Sequence, residues 1–287
     1  MKLRNTFKAS ILIILSHSSM ALTKVIVVLS GFHQVLVCDS NLANCTTYSV
    51  SAPSLNQIVA KPEYVANMGN SFYLAAKYEN KTGAMIDCVL NNTTSRFSCA
   101  YTTPKLPNAS YPAFAFNSKG NHFFASDSKY IYKWTDSSYT RLLTLSGIKD
   151  MSSNFQHDYL YLLQSGNILT YNDTGATLID TNRDLAGENI AAFTFNNYND
   201  NLYLSLNDGV YRNSTSNGFP ASVITRITTY GKDAKYLTTN QTDLYAQTEQ
   251  NIVHINLNDN ATHTLTSIAG HSISDIEAIA AYEENAE

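Results

Sequence analysis

The stretch NDNLYLSLNDGVYRN, residues 199–213, decides the architecture. Two short apolar runs, LYLSL and VYRN, alternate with period two and flank the turn Asn207-Asp208-Gly209, which reads as a β-hairpin. The same device returns in QTDLYAQTEQNIVHIN (241–256) and, going back, in DYLYLLQSGNILTYN (158–172), HFFASDSKYIYKW (122–134), SFYLAAKYENKTGAMIDCVL (71–90) and KVIVVLSGFHQVLVCDS (24–40). Taking Tyr203 as the anchor of its hairpin, the equivalents are Tyr245, Tyr161, Phe124, Tyr73 and Val27, at successive spacings from the N-terminal end of 46, 51, 37, 42 and 42 residues. A period of that size marks a propeller or a solenoid, and the Tyr-, Val-, Ile- and Thr-rich strands without capped helical stretches favour the propeller.

Each unit has a further apolar segment before the hairpin, such as PAFAF (112–116), IAAFTF (190–195) and KYLTT (235–239). Another segment follows it, as in YTRLLTL (139–145), SVITRIT (222–228) and THTLTS (262–267). Four strands per unit is the content of a propeller blade. The chain is therefore expected to be all-β, a six-bladed β-propeller. The first unit lacks an innermost strand, and SDIEAIAAY (274–282) is an innermost strand without a hairpin, so the C-terminal strand is expected to complete the N-terminal blade and close the ring.

The front of the chain has the anatomy of a secretory signal: Lys2, Arg4 and Lys8, the apolar run Ala9–Leu15, then small residues around Ser19 and Ala21. Residues 1–21 are expected to be cleaved, leaving one domain over 22–287 that is secreted or periplasmic. The apolar run is too short to span a bilayer, so no membrane span is expected to remain. Cleavage would change the formal net charge from −4 to −4 − 3 = −7, a poor match for nucleic acid. In an exported chain the four cysteines read as disulfides. The repeat pairs them locally: Cys38 with Cys45, and Cys88 with Cys99, each joining the third and fourth strands of one blade.

The LY hairpins, with CDSNLANCTT and CVLNNTTSRFSC, resemble the secreted bacterial β-propellers of the NHL and YVTN-like kind. Members of that group include binding proteins, lactonases and surface-associated proteins, so the resemblance implies architecture more than activity. Some members carry a cysteine pair in many blades; here two blades have one.

The chain carries no G-x-S-x-G, H-E-x-x-H, P-loop or G-x-G-x-x-G pattern, and its histidines are scattered. One constellation depends on blade register. Glu63, Asp150, Glu188, Asp233 and Asp275 each stand just before an innermost strand and would ring one mouth of the channel. Such a ring could ligate Ca²⁺. In lactonase-type members of the resembling group a channel metal acts as a Lewis acid. The plainer reading is that these are turn residues, several beside a lysine or arginine. The leading expectation is thus a monomeric, non-enzymatic binding module for a protein or glycan partner. Alternatives are a metal-dependent lactonase or esterase and a secreted virulence or adhesion factor. Trp134, at the end of YIYKW, is expected to be partly exposed on a binding face.

Overall fold

A computed structural model describes residues 22–52, 57–58, 63–65, 71–77, 83–91, 93–101, 112–117, 122–135, 138–154, 156–172, 177–183, 189–216, 219–220 and 224–284. The proposed signal, residues 1–21, lies outside them, as does Glu188. The described chain is nearly all β-strand.

The first unit holds β1 (Leu22–Leu29), β2 (Gln34–Asp39) and β3 (Cys45–Ser51), and the second holds β4 (Gln57–Ile58), β5 (Glu63–Val65), β6 (Ser71–Lys77), β7 (Gly83–Asn91) and β8 (Arg96–Tyr101). The third is β9 (Ala113–Asn117), β10 (His122–Ser126), β11 (Tyr130–Trp134) and β12 (Tyr139–Thr144); the fourth is β13 (Ile148–Asn154), β14 (Tyr159–Gln164), β15 (Asn167–Asn172) and β16 (Thr177–Arg183). The fifth is β17 (Ala192–Asn196), β18 (Asn201–Leu206), β19 (Gly209–Ser216), β20 (Phe219–Pro220) and β21 (Thr225–Thr228). The sixth contains β22 (Tyr236–Thr239), β23 (Asp243–Gln247), β24 (Ile252–Asn256) and β25 (Thr262–Leu265), followed by β26 (Ser267–Ile268), β27 (His271–Ser272), a 3₁₀ turn (Ile273–Asp275) and β28 (Ile276–Glu284).

Within each unit neighbouring strands are antiparallel and mostly follow chain order, except that β4 and β5 both pair with β6, β20 and β21 both pair with β19, and one strand comes from the far end of the sequence. β28 lies beside β1, pairing from Leu22↔Glu284 to Leu29↔Ile276 with a bulge near Leu29. The last strand of the chain is therefore the innermost strand of the first unit. A further departure joins units one and two: their outermost strands β3 and β8 pair in parallel, Ser49↔Arg96 through Ser51↔Ser98.

The anchor residues explain why the hairpin recurs. Tyr73, Phe124, Tyr161, Tyr203 and Tyr245 are all buried, at most 4% exposed. Each packs against the following unit: Tyr73 with Phe114 and Phe123, Phe124 with Met151, Tyr161 with Phe193, Tyr203 with Leu237, and Tyr245 with Val25 and Ile279. Opposite four of these rings the innermost strands place small or slender residues, Ala115↔Phe124, Ser152↔Tyr161, Thr194↔Tyr203 and Thr238↔Tyr245, whereas Tyr73 stands opposite Glu63. A unit alone would leave such a ring in water, whereas stacking removes about 1.5–3 kcal/mol worth of apolar surface per side chain. Six core clusters result, each shared by consecutive units, and the sixth joins the last unit to the first.

Val27 is a correction to the anchor series. It packs toward the sixth unit, with Tyr245 and Ile252, while Ile26 and Val28 face the second unit with Phe72. Counting from Val27 is off by one residue, and one residue turns a strand side chain to the opposite face.

The innermost strands are also stitched side to side. Phe195 N–H donates to Ser152 Oγ (3.0 Å), Asn196 Nδ2 donates to Thr239 Oγ1 (3.1 Å), and Ala281 N–H donates to Thr238 Oγ1 (2.9 Å), each across 43 residues of sequence. Innermost strands have a free edge, and Ser152 and Thr238 satisfy two of its main-chain N–H groups, those of Phe195 and Ala281, while Asn196 and Thr239 join side chain to side chain.

Both disulfides form as expected, Cys38–Cys45 and Cys88–Cys99, and no described cysteine is free. Each pair stands directly opposite in its hairpin register. Among the described residues no helix is long and apolar enough to cross a membrane.

Candidate binding cleft and channel residues

A cleft of about 680 Å³ opens between the turn 229–235, which leads into β22, and the turn 248–251, which joins β23 to β24. Its two turns are held from beneath. Ser205, fully buried on β18, donates its hydroxyl to Gly231 O (2.8 Å) and accepts from Ala234 N–H (2.8 Å). Asp233 N–H donates to Leu206 O (3.0 Å), and Lys235 N–H to Gln247 O (2.7 Å). Gly231 is required here: φ is +70°, and a Cβ would lie 2.8 Å from Ala246 Cβ and 3.0 Å from Val210 Cγ2. Across the cleft, Thr248 Oγ1 accepts the N–H groups of Gln250 (3.2 Å) and Asn251 (3.0 Å).

With their main chains fixed, the turns turn side chains outward. Tyr230 is 55% exposed, and Lys232, Asp233, Lys235, Glu249 and Gln250 are exposed beside it. The surface thus mixes an aromatic ring, two cations, two carboxylates and an amide. Lys235 Nζ lies 4.9 Å from the centre of the Tyr236 ring and donates to Glu277 O (3.2 Å). Tyr236 is 8% exposed; burial holds its hydroxyl above the ordinary phenol range, reinforced by the carboxylates of Glu277 and then Asp150. Lys235, Tyr236, Glu277 and Asp150 therefore link the cleft to the innermost strands.

The five acidic positions do not share one structural place. Asp150 lies inside β13, where Oδ1 accepts Met151 N–H (2.9 Å) and Oδ2 accepts Phe193 N–H (3.3 Å) of the next unit. Asp233 sits in the cleft turn with φ +50°. Asp275 closes a capping box on the 3₁₀ turn, where Oδ2 accepts Ser272 N–H (3.1 Å) and Ser272 Oγ–H (2.8 Å). Glu63 begins β5, opposite Tyr73, and Glu188 lies outside the described residues. Among the described residues no three His, Cys, Asp or Glu side chains stand close enough to hold a metal ion.

Several residues escaped sequence reasoning. Tyr230, Glu249, Gln250 and Asn251 belong to two separate turns that only the strand order brings together. His254 Nε2 meets Asp243 Oδ1 at 2.7 Å, both buried, although they are eleven residues apart in sequence. Trp134 is 3% exposed, not partly exposed as expected, because its ring stacks on Phe123 at 4.8 Å between centroids.

No family model matches the sequence, and no curated protein matches it by sequence. Solved structures do resemble the fold. A chain from the crystal structure of a nidogen–laminin complex matches with TM-score 0.66 at 12% identity, covering 92% of this chain and 100% of its own. A putative 6-phosphogluconolactonase from Bacteroides uniformis matches with TM-score 0.59 at 10% identity, covering 91% of this chain and 99% of its own. The all-β, repeated architecture is propeller-like; identities this low carry the fold alone.

Proposed function

We propose that the chain is an exported β-propeller of the NHL and YVTN-like kind, its six blades closed into a ring by β28, and that it works as a non-enzymatic binding module. The cleft between the fifth and sixth units is its recognition surface. The observation that carries this reading is the division of labour in the cleft. Buried Ser205 and the Thr248 turn hold the main chain, and the outward side chains are left to meet a partner. An exposed tyrosine on a rigid turn is the kind of aromatic anchor that protein interfaces use, and the lysines and carboxylates around it suit the polar rim of such an interface. The disulfides fit an oxidising compartment.

The competing proposal is a metal-dependent lactonase using Ca²⁺ at the channel. Its support is the neighbourhood of Asp150 and Glu277 around Tyr236. The deciding experiment screens the mature protein against an array of secreted and cell-surface proteins and, in parallel, against lactones and esters with calcium present. The binding reading expects a protein partner whose affinity falls at least about tenfold in Tyr230→Ala with Gln250→Ala. Lactone turnover abolished by Asp150→Ala, with the cleft variant unaffected, would contradict it.

A further inference from the structure

Away from the cleft, the outer half of the third unit carries a second surface. On β11 and β12 the side chains of Tyr130, Tyr132, Tyr139 and Arg141 share one sheet face, since Tyr132 stands opposite Arg141 and Trp134 opposite Tyr139. The Arg141 guanidinium lies 4.5 Å from the centre of the Tyr130 ring, and Lys129 Nζ lies 5.4 Å from the same centre. Lys129 and Arg141 are exposed, and Tyr139 is 42% exposed. A guanidinium stacked on a ring keeps its N–H edge free for a carboxylate, and the stack restricts its rotamers in advance. Two cations fixed on one ring stand out on a chain whose formal net charge is −4.

The turn beneath is rigid. Asp127, buried, accepts the N–H groups of Lys129 (2.7 Å) and Tyr130 (2.6 Å) through Oδ1 and the Tyr132 hydroxyl (2.9 Å) through Oδ2. Tyr132 in turn meets Tyr139 edge-on at 6.0 Å.

β12 is also an edge. It is the outermost strand of its sheet, six residues long, and among the described residues nothing pairs with its outer side. The outermost strands β21 and β25 have four residues each; β16 has seven, but its pairing with β15 shifts register twice, so β12 offers the more regular edge of its length. The protein itself shows that an outer edge can take another strand in parallel, because β3 takes β8.

We propose that the β12 edge is a docking site for an extended, acidic polypeptide segment, which adds as a strand and places carboxylates on Arg141 and Lys129 and an apolar side chain on Tyr139. Main-chain pairing supplies affinity and the alternate side chains supply selectivity. The same cations repel basic edges, so selection runs by charge sign. This site is independent of the cleft.

Trp134, the single tryptophan of the chain, stands opposite Tyr139 but is buried against Phe123 and Tyr73, so its emission is read together with isothermal calorimetry, which registers binding directly. The probe is a blocked hexapeptide, Thr-Glu-Thr-Glu-Thr-Val, whose glutamates and valine fall on one face of a strand, titrated to about 1 mM at low salt; its lysine–valine and glutamate–proline counterparts replace each glutamate by lysine and each threonine by proline. The expected result is a saturable titration, at least about tenfold weaker for Arg141→Ala, for the lysine–valine peptide and for the glutamate–proline peptide, which cannot pair as a strand. Lys232→Ala with Lys235→Ala in the cleft leaves the response unchanged. If Arg141→Ala melts below the parent, Arg141→Gln takes its place. A flat titration, equal binding by an Arg141 variant that melts as the parent does, or equal binding of the glutamate–proline peptide overturns the proposal. So does binding of tetragalacturonate when the acidic peptide is silent, which would make the surface a glycan site.

Discussion

Ser205→Ala tests whether the cleft is held as described. The hydroxyl of Ser205 makes two bonds of 2.8 Å, to Gly231 O and from Ala234 N–H, and the serine is fully buried. Alanine removes both and leaves a backbone donor and a backbone acceptor unpaired in the interior. Each unpaired group costs about 1–3 kcal/mol, and partial relaxation of the turn recovers part of this, so a loss of about 2–4 kcal/mol is expected. In a domain of this size that lowers Tm by roughly 4–12 °C. Thr248→Ala is the control: its hydroxyl also holds two turn N–H groups, but Thr248 is half-buried, Gln250 is exposed, and water substitutes. It is expected to cost about 1 kcal/mol or less. Urea denaturation gives the two values, and hydrogen exchange at the Ala234 amide shows where the loss occurs. Equal losses for the two variants, or unchanged protection of Ala234 in Ser205→Ala, would refute the reasoning.

Further expectations follow the same logic. Tyr161→Phe removes the bond from Asn154 Nδ2 to the tyrosine hydroxyl (3.0 Å) and is expected to cost about 1 kcal/mol in urea, against about 3–5 kcal/mol for Tyr161→Ala. Converting Cys88 and Cys99 to alanine together opens an outer hairpin closed over a separation of 11 residues, and calorimetry is expected to read a loss of about 2–3 kcal/mol. Asp39 is partly desolvated, but bonds from Asn44 Nδ2 and from the N–H groups of Ala43 and Asn44 hold its carboxyl below the ordinary range. Its contribution is therefore present above the unfolded pKa of about 4 and is lost as pH falls through the lower folded value. Asp39→Asn is expected to flatten the acid limb of a melt-versus-pH profile, and an unchanged limb would show that the hairpin does not depend on the charge. With Asp150 Oδ2 engaged by Phe193 N–H, millimolar calcium is expected to leave Tm where chelator leaves it; a calcium-dependent rise would favour the lactonase proposal.

The repeat was legible because burial imposes it. Tyr161, Tyr203 and Tyr245 must each find an apolar neighbour in the next unit, so a large ring at a constant place in every hairpin survives in the sequence. The disulfides were legible for a related reason: register places each pair directly opposite. Val27 was misplaced because β1 is apolar on both faces, and continuous burial erases the alternation that distinguishes one face from the other. The acidic positions were aligned by their distance from apolar runs, but β13 begins at Ile148, before Asp150, whereas β22 begins at Tyr236, after Asp233. Equal spacing in sequence therefore became unequal depth in the fold. The cleft itself was not legible, since turns 229–235 and 248–251 meet only through the pairing of β22 with β23, and nothing in either turn announces the other.

The central claim is that the last strand closes the ring by pairing with the first. Lys24 and Tyr282 are register partners in that pairing, and both are only half-buried. Directly opposed residues fall within the Cα separation that a disulfide spans. With all four native cysteines bonded, Lys24→Cys with Tyr282→Cys adds the only free thiols. Closure predicts that mild oxidation forms an intramolecular bond between positions 24 and 282, seen by mass spectrometry of the digest, and that the oxidised protein melts above the reduced one. Free thiols that persist under oxidant, or bonds that form only between molecules, would contradict it.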